Sequence, residues 1–471
     1  MAEPDAIVIG SGPNGLSAAI VLAQAGWKVT VVEAQPTIGG GCRSAALTLP
    51  GFVHDVCSAV HATAAASPFL KTLPLAQYGV QWIDPPLAIG HPFDDGTAAV
   101  VERSVEKTAA RLGRDGDAYR RVFGGLVDAW PKIGSSVLGP LRWPEHPLAL
   151  AAFGLRAFRS AEGFADGTFS DDRTRALFGA TAAHGLVPLR HVLTAGFGLV
   201  LGTMAHVVGW VIPRGGAQTL TDALVAHLRA LGGEVVADHP VRSLDDLPPA
   251  RAILCDLSPG PFLKIAGDRL PASFRRRLGR YRYGMGVFKV DWALDAPIPW
   301  RAAACANAST VHVCGSLADL MRAEDDAWTG AAPERPFVLL VQPSMFDSSR
   351  APHGKHTAWA YCHVPARSTV DMLPRIEAQI ERFAPGFRDR VLARSVMPPS
   401  VVEAHNANYV GGDIGSGIFD LSQAFTRPTW RTYSTPVRGL YMCSAATPPG
   451  VGVHGMCGYF AAQRALADLR A

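Results

Sequence analysis

The 471 residues carry a net charge of +4, only 18% of them are charged, and no basic run forms an electrostatic footprint, which excludes a nucleic-acid partner. A chain of this length accommodates about three domains and a sizeable buried core. The eight cysteines (42, 57, 255, 305, 314, 362, 443 and 457) are scattered without a CxxC or a zinc-type His/Cys spacing, so no metal site is expected.

The chain enters an apolar run almost at once after Met1-Ala-Glu-Pro. That leaves no room for a signal peptide and points to a cytoplasmic location. Asp5-Ala-Ile-Val-Ile predicts a buried strand that turns through Gly10-x-Gly12-x-x-Gly15 into a helix of small residues. Gly10 allows the tight turn, Gly12 lets the backbone approach a pyrophosphate, and Gly15 lets helix and strand pack closely. The diphosphate then sits at the helix N-terminus, on free N–H groups and the positive end of the dipole. Gly26 breaks the chain before a second strand, Trp27-Lys-Val-Thr-Val-Val-Glu33. Glu33 is placed to accept both hydroxyls of an adenosine ribose and to repel a 2′-phosphate.

A second glycine cluster, Ile38-Gly-Gly-Gly-Cys-Arg-Ser44, follows within a few residues, where an NAD-only domain would enter its next helix. It resembles the glycine doublet and arginine of the FAD-binding flavoproteins related to amine oxidases and phytoene desaturases. In that superfamily this loop runs along the ribityl and pyrophosphate of FAD. The stretch Gly51 to His61 passes near the isoalloxazine in the same relatives, which makes His54, Asp55 and His61 candidates for flavin-proximal roles.

Residues 70 to 205 read as mainly helical, with breaks at Pro131, Pro140, Pro144 and Pro147, and as a substrate-domain insertion. The apolar stretch Leu138 to Phe158 predicts a core helix; contact with a membrane surface is its alternative. Val192 to Pro213 has no charged residue over 22 positions, enough to span a bilayer. Its four glycines and His206 favour instead a buried helix lining the core or a substrate cavity.

Pro213-Arg-Gly-Gly216 opens a third landmark, an amphipathic helix with Leu220, Leu224, His227, Leu228 and Leu231 on one face, stopped by Gly232 before a short strand. Ala252 to Asp256 is a further buried strand. From Val287 the patterning changes to period two, with Phe288, Val290 and Trp292 on one face and Lys289, Asp291 and Ala293 on the other. It recurs at 310–314, 337–341 and 356–361, which predicts a large, mostly antiparallel sheet. Near the end, a strand from Gly439 to Ser444 leads through a glycine loop into a helix starting near His454.

Together these pieces resemble the phytoene desaturase-related flavoproteins, and within them the pyridine nucleotide-disulphide oxidoreductase domain-containing protein 2 type. Phe288-Lys-Val-Asp-Trp-Ala-Leu294, Gly354 to Tyr361, Gly411-Gly-Asp-Ile-Gly415 and Val453-His-Gly-Met-Cys-Gly458 carry the resemblance over nearly the whole chain. It implies an α/β fold in which a Rossmann-like FAD-binding domain (residues 1–70, 205–265 and 396–471) interleaves with an α+β substrate domain (71–204 and 266–395). That second domain holds the large antiparallel sheet and the helical insertion. The implied FAD contacts are Gly10, Gly12, Pro13, Asn14, Gly15, Glu33, Ala34, Gly40, Gly41, Cys42, Arg43, Val241, Ser444, Val453, His454, Gly455 and Met456. The helix N-terminus near His454 would stabilise charge at flavin N1 and O2; Lys289 reads as a solvent-facing strand lysine, with a place facing the flavin through a water, as a lysine has in some amine oxidases, as its alternative.

Two positions depart from the relatives: Gln35 stands where amine oxidases often have arginine, and Cys443-Ser444 where many carry Gly-Asp. The scattered cysteines also exclude a flavin disulphide reductase, which needs a closely spaced redox pair. The implied reaction is hydride removal from a lipophilic terpenoid, carotenoid or acyl substrate to flavin N5, with His454, His54 or Asp55 as base. Oxygen, a quinone or another carrier then takes the electrons, and peripheral membrane contact is the alternative to the core reading of Leu138 to Phe158. A redox-neutral double-bond isomerase and a low-turnover flavin-stabilised assembly protein use the same motifs. No second strand–GxGxxG–helix unit supports a bound nicotinamide.

Overall fold

The computed structural model describes residues 3–469. Strand Ala6–Ile9 is buried at all four positions and lies parallel between Val29–Val32 and Ala252–Cys255. Glu234–Val236 and Leu440–Met442 add parallel edges, closing a five-stranded sheet drawn from three distant stretches of chain. Continuous Val, Ile and Leu runs suit strands whose two faces are both covered.

Gly10, at φ +101°, turns the first strand into helix Pro13–Gln24, which opens on a proline and ends before Gly26 at φ +84°. Two helices pack on it. Gln218–Ala230 buries the predicted leucine face through Leu220, Leu224 and Leu228. Met456–Leu469 brings Gly458 so close that a Cβ there would lie 1.7 Å from the Asn14 carbonyl oxygen, so the two helices meet backbone to backbone. This contact carries the loop preceding the last helix to the glycine turn.

The large sheet has seven strands, ordered 391–397, 286–294, 356–364, 338–341, 308–313, 87–92 and 98–102. All neighbours are antiparallel except Ala308–Val313 with Leu87–Pro92. The last two strands correct the mainly helical reading of residues 70–205: Leu87–Pro92 and Ala98–Glu102 form a hairpin around Asp94-Asp-Gly96. Asp95 closes the turn by accepting from the Thr97 N–H and hydroxyl. From Val105 onward the insertion is helical as expected.

Strand Gly286–Leu294 is buried at every residue. One face (Val290, Trp292) packs with Ala360, Leu340 and Val311 into a core beneath helix Leu373–Phe383. The opposite face carries Lys289 and Asp291 and is covered by the His54–Cys57 segment and helix Pro399–His405.

Val192–Pro213 forms the buried helix Thr194–Val207. No helix among the described residues is long and apolar enough to cross a membrane. The core helix expected within Leu138 to Phe158 is corrected: Pro147–Ala157 buries only Ala157, while Leu141, Trp143, Leu148 and Leu155 are 79–90% exposed. An apolar run without a complementary groove remains on the surface, and hydropathy alone does not reveal which face is covered.

Candidate functional site

A cavity of about 1110 Å³ runs from the glycine turn to the polar face of the seven-stranded sheet. Of the predicted contacts, Gly10, Gly12, Pro13, Asn14, Glu33, Ala34, Gly40, Gly41, Cys42, Arg43, Val241 and Val453 all line it. Residues more than 440 positions apart thus meet on one surface. The two glycine clusters touch: a Cβ on Gly40 would lie 2.9 Å from the Gly12 Cα.

Glu33 is buried at the outer end of this surface and accepts from the Ser11 N–H (2.9 Å), the Ser11 hydroxyl (2.6 Å) and the Gln35 N–H (3.0 Å). These bonds hold the carboxylate at the strand end, where further lone pairs are available to a diol. Gln35 thus serves Glu33 through its backbone. Nearby, Asn14 Oδ1 and Arg43 Nε are buried without a partner among the described residues. Buried polar atoms are ordinarily satisfied, so a small-residue cradle with the unpaired Arg43 N–H fits a nucleotide diphosphate, and Asn14 Oδ1 is left to accept from a hydroxyl.

Gly15, Ser444, His454, Gly455 and Met456 stand behind this surface and do not line the cavity. Ser444 donates to the Leu257 carbonyl at 2.9 Å, joining the ends of two parallel strands. His454 is buried, its Nδ1 accepts from the Met456 N–H at 3.0 Å, and it thereby caps the last helix. Burial lowers its pKa to about 4. A Cβ on Gly455 would meet the Ser17 hydroxyl at 2.1 Å.

His54 and Asp55 also lie behind the cavity wall. Asp55 accepts from the Ser44 hydroxyl (2.9 Å), the Ala217 N–H (2.8 Å) and the fully buried Arg350 guanidinium (2.7 Å). His54 pairs with the Thr48 hydroxyl at 2.7 Å and faces Asp291 at 3.6 Å. Burial first, then the charges of Lys289 and Arg350, lower its pKa to about 3. His61 bonds the Ser58 hydroxyl at 3.0 Å, and burial lowers it to about 4. The three hold the Arg43–His61 segment in place and bring no free base into the cavity. Lys289 is buried, paired with Asp291 and 5.8 Å from the centroid of Trp359, a lining residue.

Asp256 was not among the sequence candidates. It ends the strand beside Ala6–Ile9, accepts from the Gly15 N–H at 2.9 Å and lines the cavity under the glycine turn. An acid closing a buried strand gives no distinctive pattern. Burial pushes it up to about 7, with the Gly15 N–H opposing that rise and Glu33 adding to it. The folded value is raised above the ordinary 3.8, so between about pH 4 and 7 the folded chain keeps a proton that the unfolded chain has released. Stability of the cofactor-free protein should therefore fall as pH rises through that window. Asp256→Asn should remove this slope in denaturant titrations, whereas an unchanged slope would show that Asp256 does not carry it. Tyr409 was missed as well: it crosses the second cluster with its hydroxyl 2.2 Å from where a Gly41 Cβ would stand.

Known proteins share both motif and architecture. Residues 8–73 match the NAD(P)-binding Rossmann-like domain. Pyridine nucleotide-disulfide oxidoreductase domain-containing protein 2 of Rattus norvegicus is 26% identical, covering 99% of this chain and 94% of the relative. Phytoene dehydrogenase of Streptomyces griseus is 27% identical over 95% and 92% of the two chains. Putrescine oxidase bound to putrescine superposes with a TM-score of 0.63 at 18% identity, covering 99% of each chain.

Proposed function

We propose that the chain is a flavin-type oxidoreductase of the amine oxidase and phytoene desaturase superfamily, an FAD-dependent dehydrogenase or desaturase acting on a lipophilic small molecule, a reading its full-length relatives support. The observation that carries this reading is the single cavity joining the Glu33 and glycine-turn surface to an apolar chamber. FAD bound there supplies a two-electron acceptor for hydride. Glu33 would hold the ribose, the Gly10–Gly15 turn with Gly40 and Arg43 the diphosphate, and Val241 the adenine side.

The chamber lies under the large sheet and is walled by Leu201, Trp210, Leu339, Val341, Trp359 and Tyr361. These side chains exclude water and orient an apolar substrate by shape. A terpenoid, carotenoid or acyl chain suits such walls, and oxygen, a quinone or another carrier would complete the cycle. Cofactor released by denaturing the purified protein is expected to be FAD at one per chain; FMN or NAD in its place would refute the assignment.

The exposed Leu141, Trp143, Leu148 and Leu155, interspersed with exposed Arg142, Arg156 and Arg159, suit an anionic lipid surface. Helix Pro147–Ala157, which carries Leu148 and Leu155, packs on Thr194–Val207, whose Leu201 lines the chamber, so one helix separates this surface from the chamber. The protein is expected to float with anionic phospholipid vesicles, and Leu148→Glu with Leu155→Glu to abolish flotation. Equal flotation of wild type and variant would remove the lipid surface from the proposal.

A further inference from the structure

The apolar chamber contains a polar device that none of the motifs or relatives assigns. Ala183-His184-Gly185 forms a tight turn after helix Asp172–Ala182, and His184 lines the chamber beside Trp210, their ring centroids 5.2 Å apart. Its Nε2 lies 3.0 Å from Nε2 of His312, a fully buried residue on strand Ala308–Val313. On the same face of that strand, two residues back, Thr310 also lines the chamber. The other walls at this end are Leu201, Leu339 and Val341.

The short Nε2–Nε2 contact requires one proton between two imidazoles. Burial lowers His184 to about 3 and His312 well below its ordinary value, so both rings are neutral and each carries one proton. Two arrangements are available. If His184 donated, the His312 proton would sit on Nδ1, which is buried without a partner among the described residues. An orphaned buried N–H costs the full desolvation of a donor. If His312 donates, its Nδ1 is only a bare lone pair, and the His184 proton moves to Nδ1. That nitrogen has no hydrogen-bond partner among the described residues. The second arrangement is favoured, and it leaves an N–H donor without a partner among the described residues on a side chain that lines the chamber.

Building on the lipophilic-substrate reading, we infer that the substrate carries an oxygen acceptor, a carbonyl or hydroxyl, at the end held by His184 and Thr310. A pure hydrocarbon would leave the His184 N–H unpaired in an apolar chamber. Sites built to hydrogen-bond a substrate discriminate against analogues lacking the group for this reason.

The test is calorimetric binding to the purified holoprotein of geranylacetone and of the hydrocarbon in which a methylene replaces its carbonyl oxygen. The ketone is expected to bind on the order of tenfold more tightly. His184→Phe, which keeps an aromatic ring, should bind both with the hydrocarbon's affinity, and unchanged hydrocarbon binding reports an intact chamber. Equal affinities in wild type, or an equal loss of both ligands in His184→Phe, would overturn the oxygen-end assignment and leave the lipophilic reading standing. Failure of both ligands to bind wild type would overturn the two together.

Discussion

Gly12→Val should give a folded, colourless protein. Gly12 precedes helix Pro13–Gln24 with φ −65°, a conformation open to any residue, so the cost is one of space. A Cβ there would stand 2.7 Å from Asp256 Oδ2, and the second glycine cluster closes the other side through Gly40. The branches of valine can point only into the Asp256 carboxylate or into the surface assigned to the diphosphate. Overpacking of this kind costs about 1–3 kcal/mol, which corresponds to a loss of affinity of about five- to 150-fold. The measurement is the ratio of flavin to protein absorbance after desalting. Full occupancy in the variant would show that the cofactor does not use this turn.

The second large effect falls on stability. Arg350 and Asp55 are completely buried and paired at 2.7 Å, and Arg350 Nε also donates to the Val53 carbonyl at 3.1 Å. Arg350→Met should strand the Asp55 carboxylate, for which breaking a buried pair predicts a loss of about 3–5 kcal/mol. Adding Asp55→Asn removes the stranded charge and should recover much of that loss, because buried pairs contribute little beyond their own desolvation. Denaturant unfolding of both variants decides the matter. An unaltered midpoint in the single variant would show that Asp55 is not held by this charge.

The parts of the fold that impose backbone constraints were legible in sequence. The turn at Gly10, the contact at Gly40 and the turn after Pro213 require glycine, and Glu33 stands at the end of a buried strand, so each leaves a residue-level mark. Gly10, Gly12, Gly40, Gly41, Cys42 and Arg43 of the first two clusters line the cavity, and Gly15 lies behind it. Beyond them legibility fails for a physical reason. The alternation around Lys289 and Asp291 reports two faces but not what covers the second, and that cover comes from the His54–Cys57 segment more than 200 residues upstream and from helix Pro399–His405 more than 100 residues downstream. Leu87–Pro92 pairs in parallel with residues over 200 positions away, so no local hairpin announces its place in the sheet beyond the Asp94-Asp-Gly96 turn. His454 looked like chemistry because it sits in a glycine loop, yet its ring nitrogen is occupied in capping the last helix. His184 and Asp256 left no signal because their roles arise from neighbours that only the folded chain supplies.

Anaerobic mixing of the purified protein with a panel of terpenoid, apocarotenoid, fatty acyl and amine compounds, followed through the flavin absorbance band, tests oxidation of a lipophilic substrate most directly. At least one lipophilic compound should bleach the band with a stoichiometry of one substrate per flavin, and the amines should leave it unchanged. Bleaching by amines alone would contradict a lipophilic substrate, and product formation only after prior chemical reduction of the flavin would contradict net oxidation.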